Sequence, residues 1–227
     1  MEQINNVVVI SDTHCGCQLG LCPPIVKLDN GGEYRQSPLQ NKLWWMWEHF
    51  WYDWIPMVTK KEPFILVHNG DAIDGVHHNS VTQISHNITD QIEIARQVLE
   101  PVLNLEKCVG YYHIRGTEAH VGKSGQSEEG LAKSLGAFAD ENNNHARWEL
   151  WMNLNGKLIH FSHHVGTTSS ASYESTAVYK EYIESLTDSA RWKNTPPDVI
   201  VRSHRHRAFE TRVPTADGYG ISLVTPA

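Results

Sequence analysis

The sequence predicts an α/β fold built on a mainly parallel sheet, with antiparallel strands added late in the chain. Three observations predict it. Short continuous apolar runs at residues 7–10 and 64–67, and the segment 198–202 around Val199-Ile200-Val201, read as strands buried on both faces. Segments with helical periodicity alternate with those runs, the order expected of a parallel sheet covered by helices. Short Asp/His clusters then follow the apolar runs: Asp12-Thr13-His14, Gly70-Asp71 with Asp74, Glu118-Ala119-His120, His163-His164 and His204-Arg205-His206. Ligands of such folds gather at the carboxyl ends of strands, which is where these clusters fall.

Taken in order, residues 7–10 predict the first strand. Residues 15–38 read as a long irregular segment, with Cys22-Pro23-Pro24 and Asn30-Gly31-Gly32 as turn signals. A loop of that length inside a domain is commonly functional. Residues 39–55 predict a helix that stops at Pro56, with Leu43, Trp47, Phe50, Trp51 and Trp54 on one face. Trp44, Trp45 and Tyr52 extend its aromatic character; a core helix is expected rather than a partner surface. Residues 64–67 are the second strand. A helix starts at Asp90, with Asp90 and Glu93 as its capping pattern and Ile92, Ala95, Val98, Leu99 and Val102 as its buried face. Pro101 should kink or end it. Residues 109–115 predict a third strand and 127–140 a third helix capped by Ser127.

Asn155-Gly156 between residues 147–154 and 157–162 is a strong hairpin signal. A small polar stretch at 167–172 leads into a helix through Tyr182 and Ile183. Residues 198–202 give another buried strand. Residues 209–213 and 219–224 read as a closing antiparallel pair turned at Asp217-Gly218. No repeat, low-complexity tract or linker interrupts the chain, so one domain spanning residues 1–227 is expected.

The bulk composition excludes several classes. With 227 residues, 40% hydrophobic and 20% charged, the chain can bury a sizeable core as one soluble domain. No apolar stretch reaches the roughly 18 residues of a membrane span. No basic segment with a cleavage site opens the sequence, so neither a signal peptide nor a membrane partner is expected, and a cytoplasmic location is. The net charge of −7 gives no global field toward nucleic acid, although bound cations would reverse the local charge at a site. Cys15, Cys17 and Cys22 lie together and Cys108 alone; without C-x-x-C spacing they read as free thiols of a reducing compartment rather than a zinc site. Oligomeric state is open.

Carboxylates mixed with imidazoles suit Mn²⁺, Fe, Zn²⁺, Ni²⁺ or Co²⁺ better than Ca²⁺ or Mg²⁺ alone, and Mn²⁺ is the first expectation. The clusters offer enough ligands for two adjacent divalent ions, a device used to hydrolyse phosphate esters. Asp12 and His14 are two residues apart past a strand end, as are His204 and His206. Gly70 lets the backbone bend before Asp71, whose two oxygens can bridge ions about 3.5–4 Å apart. His163 adds a nitrogen at the end of its strand.

Ser11-Asp12-Thr13-His14, Gly70-Asp71-Ala72-Ile73-Asp74, His163-His164 and Ser203-His204-Arg205-His206 together resemble the motif series of the calcineurin-like metallophosphoesterases, in the family's order. The spelling SDTHCG with GTEAH is also similar to bacteriophage-borne members. The resemblance implies a four-layer αββα sandwich with mixed, largely parallel sheets and a dinuclear centre. It implies that Asp12, His14 and His206 take the first metal, His163 and His204 the second, and that Asp71 bridges. Two features depart from the family pattern. Ser203 stands where a Gly is usual. The usual Gly-Asn-His of the third motif is replaced by Gly116-Thr117-Glu118-Ala119-His120. Glu118 is therefore expected to take the metal-binding role and His120 the acid role. Asp74 is expected to orient a ligand histidine or to cap a turn.

The implied reaction is hydrolysis of a phosphomonoester or phosphodiester by water acidified between two cations, with His120 protonating the leaving oxygen. A nuclease and a non-catalytic metal- or partner-binding protein are the alternatives. His77 and His78 read as phosphate contacts or a surface loop. His164 is the fallback ligand, His160 a core or surface residue, and Arg115 and Lys123 are expected to be solvated charges rather than contacts to a substrate phosphate.

Overall fold

Alternation of side chains sorts the first strand, Asn6–Ile10 (β1), between two cores. Val8 and Ile10 join one apolar cluster and Val7 and Val9 another. This computed structural model describes residues 4–77, 79–166, 170–216 and 218–227. The long segment after β1 is less irregular than expected. It carries a small antiparallel pair, Ile25–Lys27 (β2) with Glu33–Arg35 (β3).

Pro38–His49 (α1) opens on a capping box in which the Ser37 hydroxyl accepts from Gln40 N–H and the Gln40 side chain accepts from Ser37 N–H. The helix does not stop at Pro56. A π-helical turn, Phe50–Trp54, links it to Ile55–Val58 (α2). Ile55 N–H reaches back to the Phe50 carbonyl, five residues away, and this widened turn relieves the crowding a proline ring imposes on the preceding turn. Trp51 and Ile55 are buried; Trp45, Tyr52 and Trp54 are exposed.

Phe64–Asn69 (β4) is followed by Ile88–Leu103 (α3), which starts two residues before Asp90. Asn87 is the cap, accepting from Thr89 N–H; the Asp90 carboxylate instead accepts from Asp29 N–H and the Ser85 hydroxyl. Pro101 lies within the last turn without ending the helix there, since the chain leaves the helix after Leu103. Cys108–Ile114 (β5), Glu118–Val121 (α4) and Gln126–Ser134 (α5) follow. The third helix is thus capped at Gly125 rather than Ser127, and ends before Gly136, whose φ of 74° continues no helix.

Ala146–Arg147 (β6) precedes the hairpin of Glu149–Leu154 (β7) and Lys157–Ser162 (β8). Asn155 and Gly156 turn it with φ of 52° and 83°, as a tight two-residue turn requires. Glu174–Trp192 (α6), Val199–Arg202 (β9), Phe209–Thr215 (β10) and Gly218–Val224 (β11) complete the chain. Residues 167–169 of the polar stretch, and Asp217 of the last turn, lie outside the described residues.

The fold is mixed α/β. One sheet is wholly parallel, in the order β1-β4-β5-β6. The other, β10-β11-β9-β8-β7, is mixed: β11, β9 and β8 run parallel, with an antiparallel strand at each edge. Phe64 and Leu66 pack with Trp51, Ile94 and Leu99 of the helices. Val67 and Ile114 pack with Leu150, Phe161 and Val201 of the second sheet. On the far side of that sheet Ile200 and Val213 meet Tyr182 of α6. Among the described residues no helix is long and apolar enough to cross a membrane. All four cysteines are free thiols, and burial pushes those of Cys15 and Cys22 up to about 12.

Candidate metal centre

Five parallel strands deliver their C-terminal loops to one rim. Asp12 and His14 follow β1, Asp71 and Asp74 follow β4, and Thr117, Glu118 and His120 follow β5. From the second sheet, His163 follows β8 and His204 and His206 follow β9. The loops stay bonded past the strand ends. Asp12 N–H donates to Gly70 O, His14 N–H to Asp71 O and Ser203 N–H to His163 O.

The local backbone there is unusual. Asp12, His14, Asp71, His204 and His206 all have positive φ, between 41° and 70°. Non-glycine residues rarely adopt that region, and it is held only where surrounding contacts over-determine it. Close approach adds a second constraint. Gly70 has φ 91°, and a Cβ there would meet the His163 ring. A Cβ at Gly116 would strike the Asp71 carboxylate. Both positions exclude a side chain for the same reason: another loop's functional group occupies the space.

Two groups of three result, each with one atom per residue lying within 4.8 Å of the others: Asp12, His14 and His206, and Asp71, His163 and His204. In the first, His206 Nε2 is 3.2 Å from Asp12 Oδ1 and 3.1 Å from His14 Nε2. In the second, His163 Nε2 is 3.0 Å and His204 Nδ1 4.0 Å from Asp71 Oδ2. The groups are neighbours, since His163 Nε2 also lies 4.0 Å from Asp12 Oδ1. Asp12 Oδ1 and His163 Nε2 are buried with no hydrogen-bond partner among the described residues. Buried polar atoms without partners are costly, so this convergence of unsatisfied oxygen and nitrogen fits a cation.

The electrostatics agree. Burial alone would raise the Asp71 carboxyl, but the His163 and His204 imidazoles outweigh it and hold it well below the usual carboxylate range. Burial would likewise favour neutral His163, yet Asp71 and then Asp12 push it up to about 9. For Asp12 the burial penalty is outweighed by His206 and His163, and its carboxyl is lowered.

Glu118 departs from expectation. It occupies the first position of α4, its side chain is exposed, and it joins neither group. Starting a helical turn directly after Thr117 directs that side chain outward. Thr117 stands in the vacated place: its N–H donates to Asp71 Oδ1 at 2.8 Å, and its hydroxyl is 3.4 Å from both Asp71 oxygens. His120 does approach the centre. Its Nδ1 bonds the Asp74 carbonyl at 2.6 Å, which leaves Nε2 facing inward, 3.8 Å from Asp71 Oδ2. Asp74 contacts both inner histidines, with Oδ1 3.5 Å from His14 Nδ1 and 3.8 Å from His120 Nδ1. Those three residues form a further ligand-like group. His77 packs edge-on against His120, with centroids 4.4 Å apart, and His78 lies outside the described residues. His164 is exposed and stacks on His204. His160 stacks on Trp151 away from the rim. Arg115 is not a solvated charge: it donates to Ala146 O and lies over the Trp148 ring.

Sequence reasoning missed two supports. Glu128 of α5 is fully buried, and its two oxygens accept from Ala72 N–H and Gly116 N–H, both at 2.7 Å. It thereby ties the loop of Asp71 to the loop of Thr117. Its only sequence signal is a charge on an otherwise apolar helix face. Glu128→Ala leaves two buried donors unsatisfied and is expected to destabilise the protein by about 3 kcal/mol. Glu128→Gln keeps one acceptor and should lose less; urea unfolding compares them. The second support is Ser203. Its buried hydroxyl accepts from Asn69 Nδ2–H at 2.6 Å and bonds Thr225 Oγ1 at 2.7 Å, and Thr225 in turn bonds Ser11. Ser203 thus belongs to a polar clasp between the sheets.

No protein-family model and no curated protein matches this chain. Solved structures are similar to it, among them a conserved uncharacterized protein, a predicted phosphoesterase, from Streptococcus pneumoniae TIGR4. That structure has a TM-score of 0.35 and 10% identity, over 98% of this chain and 72% of that one.

Proposed function

We propose that this chain is a phosphoesterase working with two divalent cations. The observation that carries the reading is the pair of adjacent three-residue groups on one rim, with Asp71 and Asp12 both in reach of His163. In this reading Asp12, His14 and His206 would hold one cation and His163 and His204 the other, with Asp71 placed to serve both and Thr117 rather than Glu118 beside it. Mn²⁺ is the first choice, and Fe, Zn²⁺, Ni²⁺ or Co²⁺ also suit the donor set. The three core clusters support a four-layer αββα sandwich of the calcineurin-like type, folded as one domain.

When bound, the cations would supply Lewis acidity toward a phosphoryl oxygen and an acidified water. The chain's own residues do the rest. His120 is held by the Asp74 carbonyl so that Nε2 faces the centre. Burial lowers its pKa, outweighing the pull of Asp71, and so makes its protonated form a readier donor to a leaving oxygen. Asp74 positions His14 and His120 together, and Glu128 holds the two loops in register.

The test is hydrolysis of nitrophenyl phosphate and bis-nitrophenyl phosphate across divalent metals. Metal-dependent turnover of either supports the reading. Two bound ions per chain with no hydrolysis of either ester favours the non-catalytic alternative.

A proton balance follows from His163. In the metal-free protein its pKa is raised from 6.5 to about 9, so the stability it contributes is complete below pH 6.5 and fades as pH rises through about 9. Asp71 has a lowered pKa, so its contribution is present above 3.8 and fades as pH falls. A cation needs neutral His163. Loading at pH 7 is therefore expected to release a proton that loading at pH 10 does not, as measured by calorimetry in buffers of different ionisation enthalpy. Equal release at both would contradict the ligand role of His163.

A further inference from the structure

A cavity of about 990 Å³ opens onto the centre, with Asp12, His14, Asp74, His120 and His206 at one end. From there it runs along β1, the outer strand of its sheet, to Asn6. Five strand residues span roughly 16 Å. One wall is Val7 to Ile10; the facing wall is built from α1 and the turns after it, notably Leu43, Met46, Trp47, Phe50 and Trp54. Charge is confined to one end. Among the described lining residues there is no Lys, Arg or Glu, and the only Asp residues are Asp12 and Asp74 of the centre. Such a slot is polar where it meets the rim and apolar along its length. Away from the rim its side chains offer no cation to a second phosphate and no carboxylate to a sugar or an amine.

Resting on the phosphoesterase reading, we propose that the preferred substrate is a phosphate ester of an extended apolar alcohol, whose alkyl or acyl chain lies in this slot along β1. Its phosphate sits at the rim and its chain covers Met46, Trp54 and Leu19, apolar residues that are 50%, 43% and 62% exposed. Burying one methylene there should tighten binding about fourfold. The slot also accounts for the apolar flank of α1, which a core role alone leaves in water.

The experiment uses the full chain loaded with Mn²⁺, titrated with inorganic phosphate, methyl phosphate and octyl phosphate. Binding is read by calorimetry and by the fluorescence of Trp47 and Trp54. Octyl phosphate is expected to bind at least a hundredfold tighter than methyl phosphate. Met46→Glu and Leu19→Asp, at half-exposed positions where folding is spared and checked by thermal melting, should each cut octyl binding tenfold or more. Inorganic phosphate, which has no chain to place in the slot, should bind both variants as it binds the parent. Octyl and methyl phosphate binding within threefold of each other, with bis-nitrophenyl phosphate still hydrolysed, overturns the slot and leaves the phosphoesterase reading standing. So does an unchanged octyl affinity in both variants. A strong chain-length preference without hydrolysis of any ester supports the slot and overturns the phosphoesterase reading instead.

Discussion

Asp71→Asn is expected to cut hydrolysis of bis-nitrophenyl phosphate by about a thousandfold or more. The substitution is nearly isosteric. Its carbonyl oxygen can still accept from Thr117 N–H, so the loop after β4 keeps its anchor. What is lost is the negative charge between His163 and His204, and with it one oxygen able to ligate. Two readouts separate the bridge from a structural role. Metal content should fall below two per chain, and His163 should titrate closer to an ordinary histidine, because Asp71 is the main influence raising it. A variant that binds two ions and keeps the parent rate would end the assignment of Asp71 as bridge.

His120→Ala is expected to act selectively. An alkoxide leaving group needs a proton in the transition state, so alkyl phosphate esters should slow by about a hundredfold to ten-thousandfold. A nitrophenolate leaves without one, so nitrophenyl esters should slow by less than about tenfold. The basis is the single inward-facing nitrogen of His120, fixed by the Asp74 carbonyl 2.6 Å from Nδ1. Metal content should be unchanged. Equal losses on both ester classes refute the acid role and would make His120 a ligand or a packing residue.

Most strands were legible because burial on both faces leaves apolar runs, and the clusters because rim residues follow those runs directly; the short β2–β3 pair was not, nor was the division of the expected strand 147–154 into β6 of one sheet and β7 of the other. The hairpin at Asn155-Gly156 was legible because only a few dipeptides accept two positive φ angles. Other features depend on contacts distant in sequence. Pro56 reads as a stop until the π-helical turn before it is seen, and a single widened turn leaves no mark on a periodicity. Asp90 and Ser127 are good caps in isolation, yet Asn87 and Gly125 stand there instead. Asp90 is committed to Asp29 and Ser85. Which of Thr117 and Glu118 lies beside Asp71 could not be read from residue chemistry, which favours a carboxylate as ligand. It depends on where a four-residue helix begins. Glu128 was invisible because its partners are main-chain N–H groups, which no side-chain pattern encodes.

Asp12, His14 and Asp71 come from the parallel sheet, and His163, His204 and His206 from the mixed one. An ion shared among them would be a rivet driven through both halves of the molecule. At a free concentration a hundred times its dissociation constant, one such ion would add about 2.7 kcal/mol to the folded state. The melting temperature should therefore track metal supply even in an inactive variant, and a chelator should unfasten the rim before it disturbs the apolar seam between the sheets.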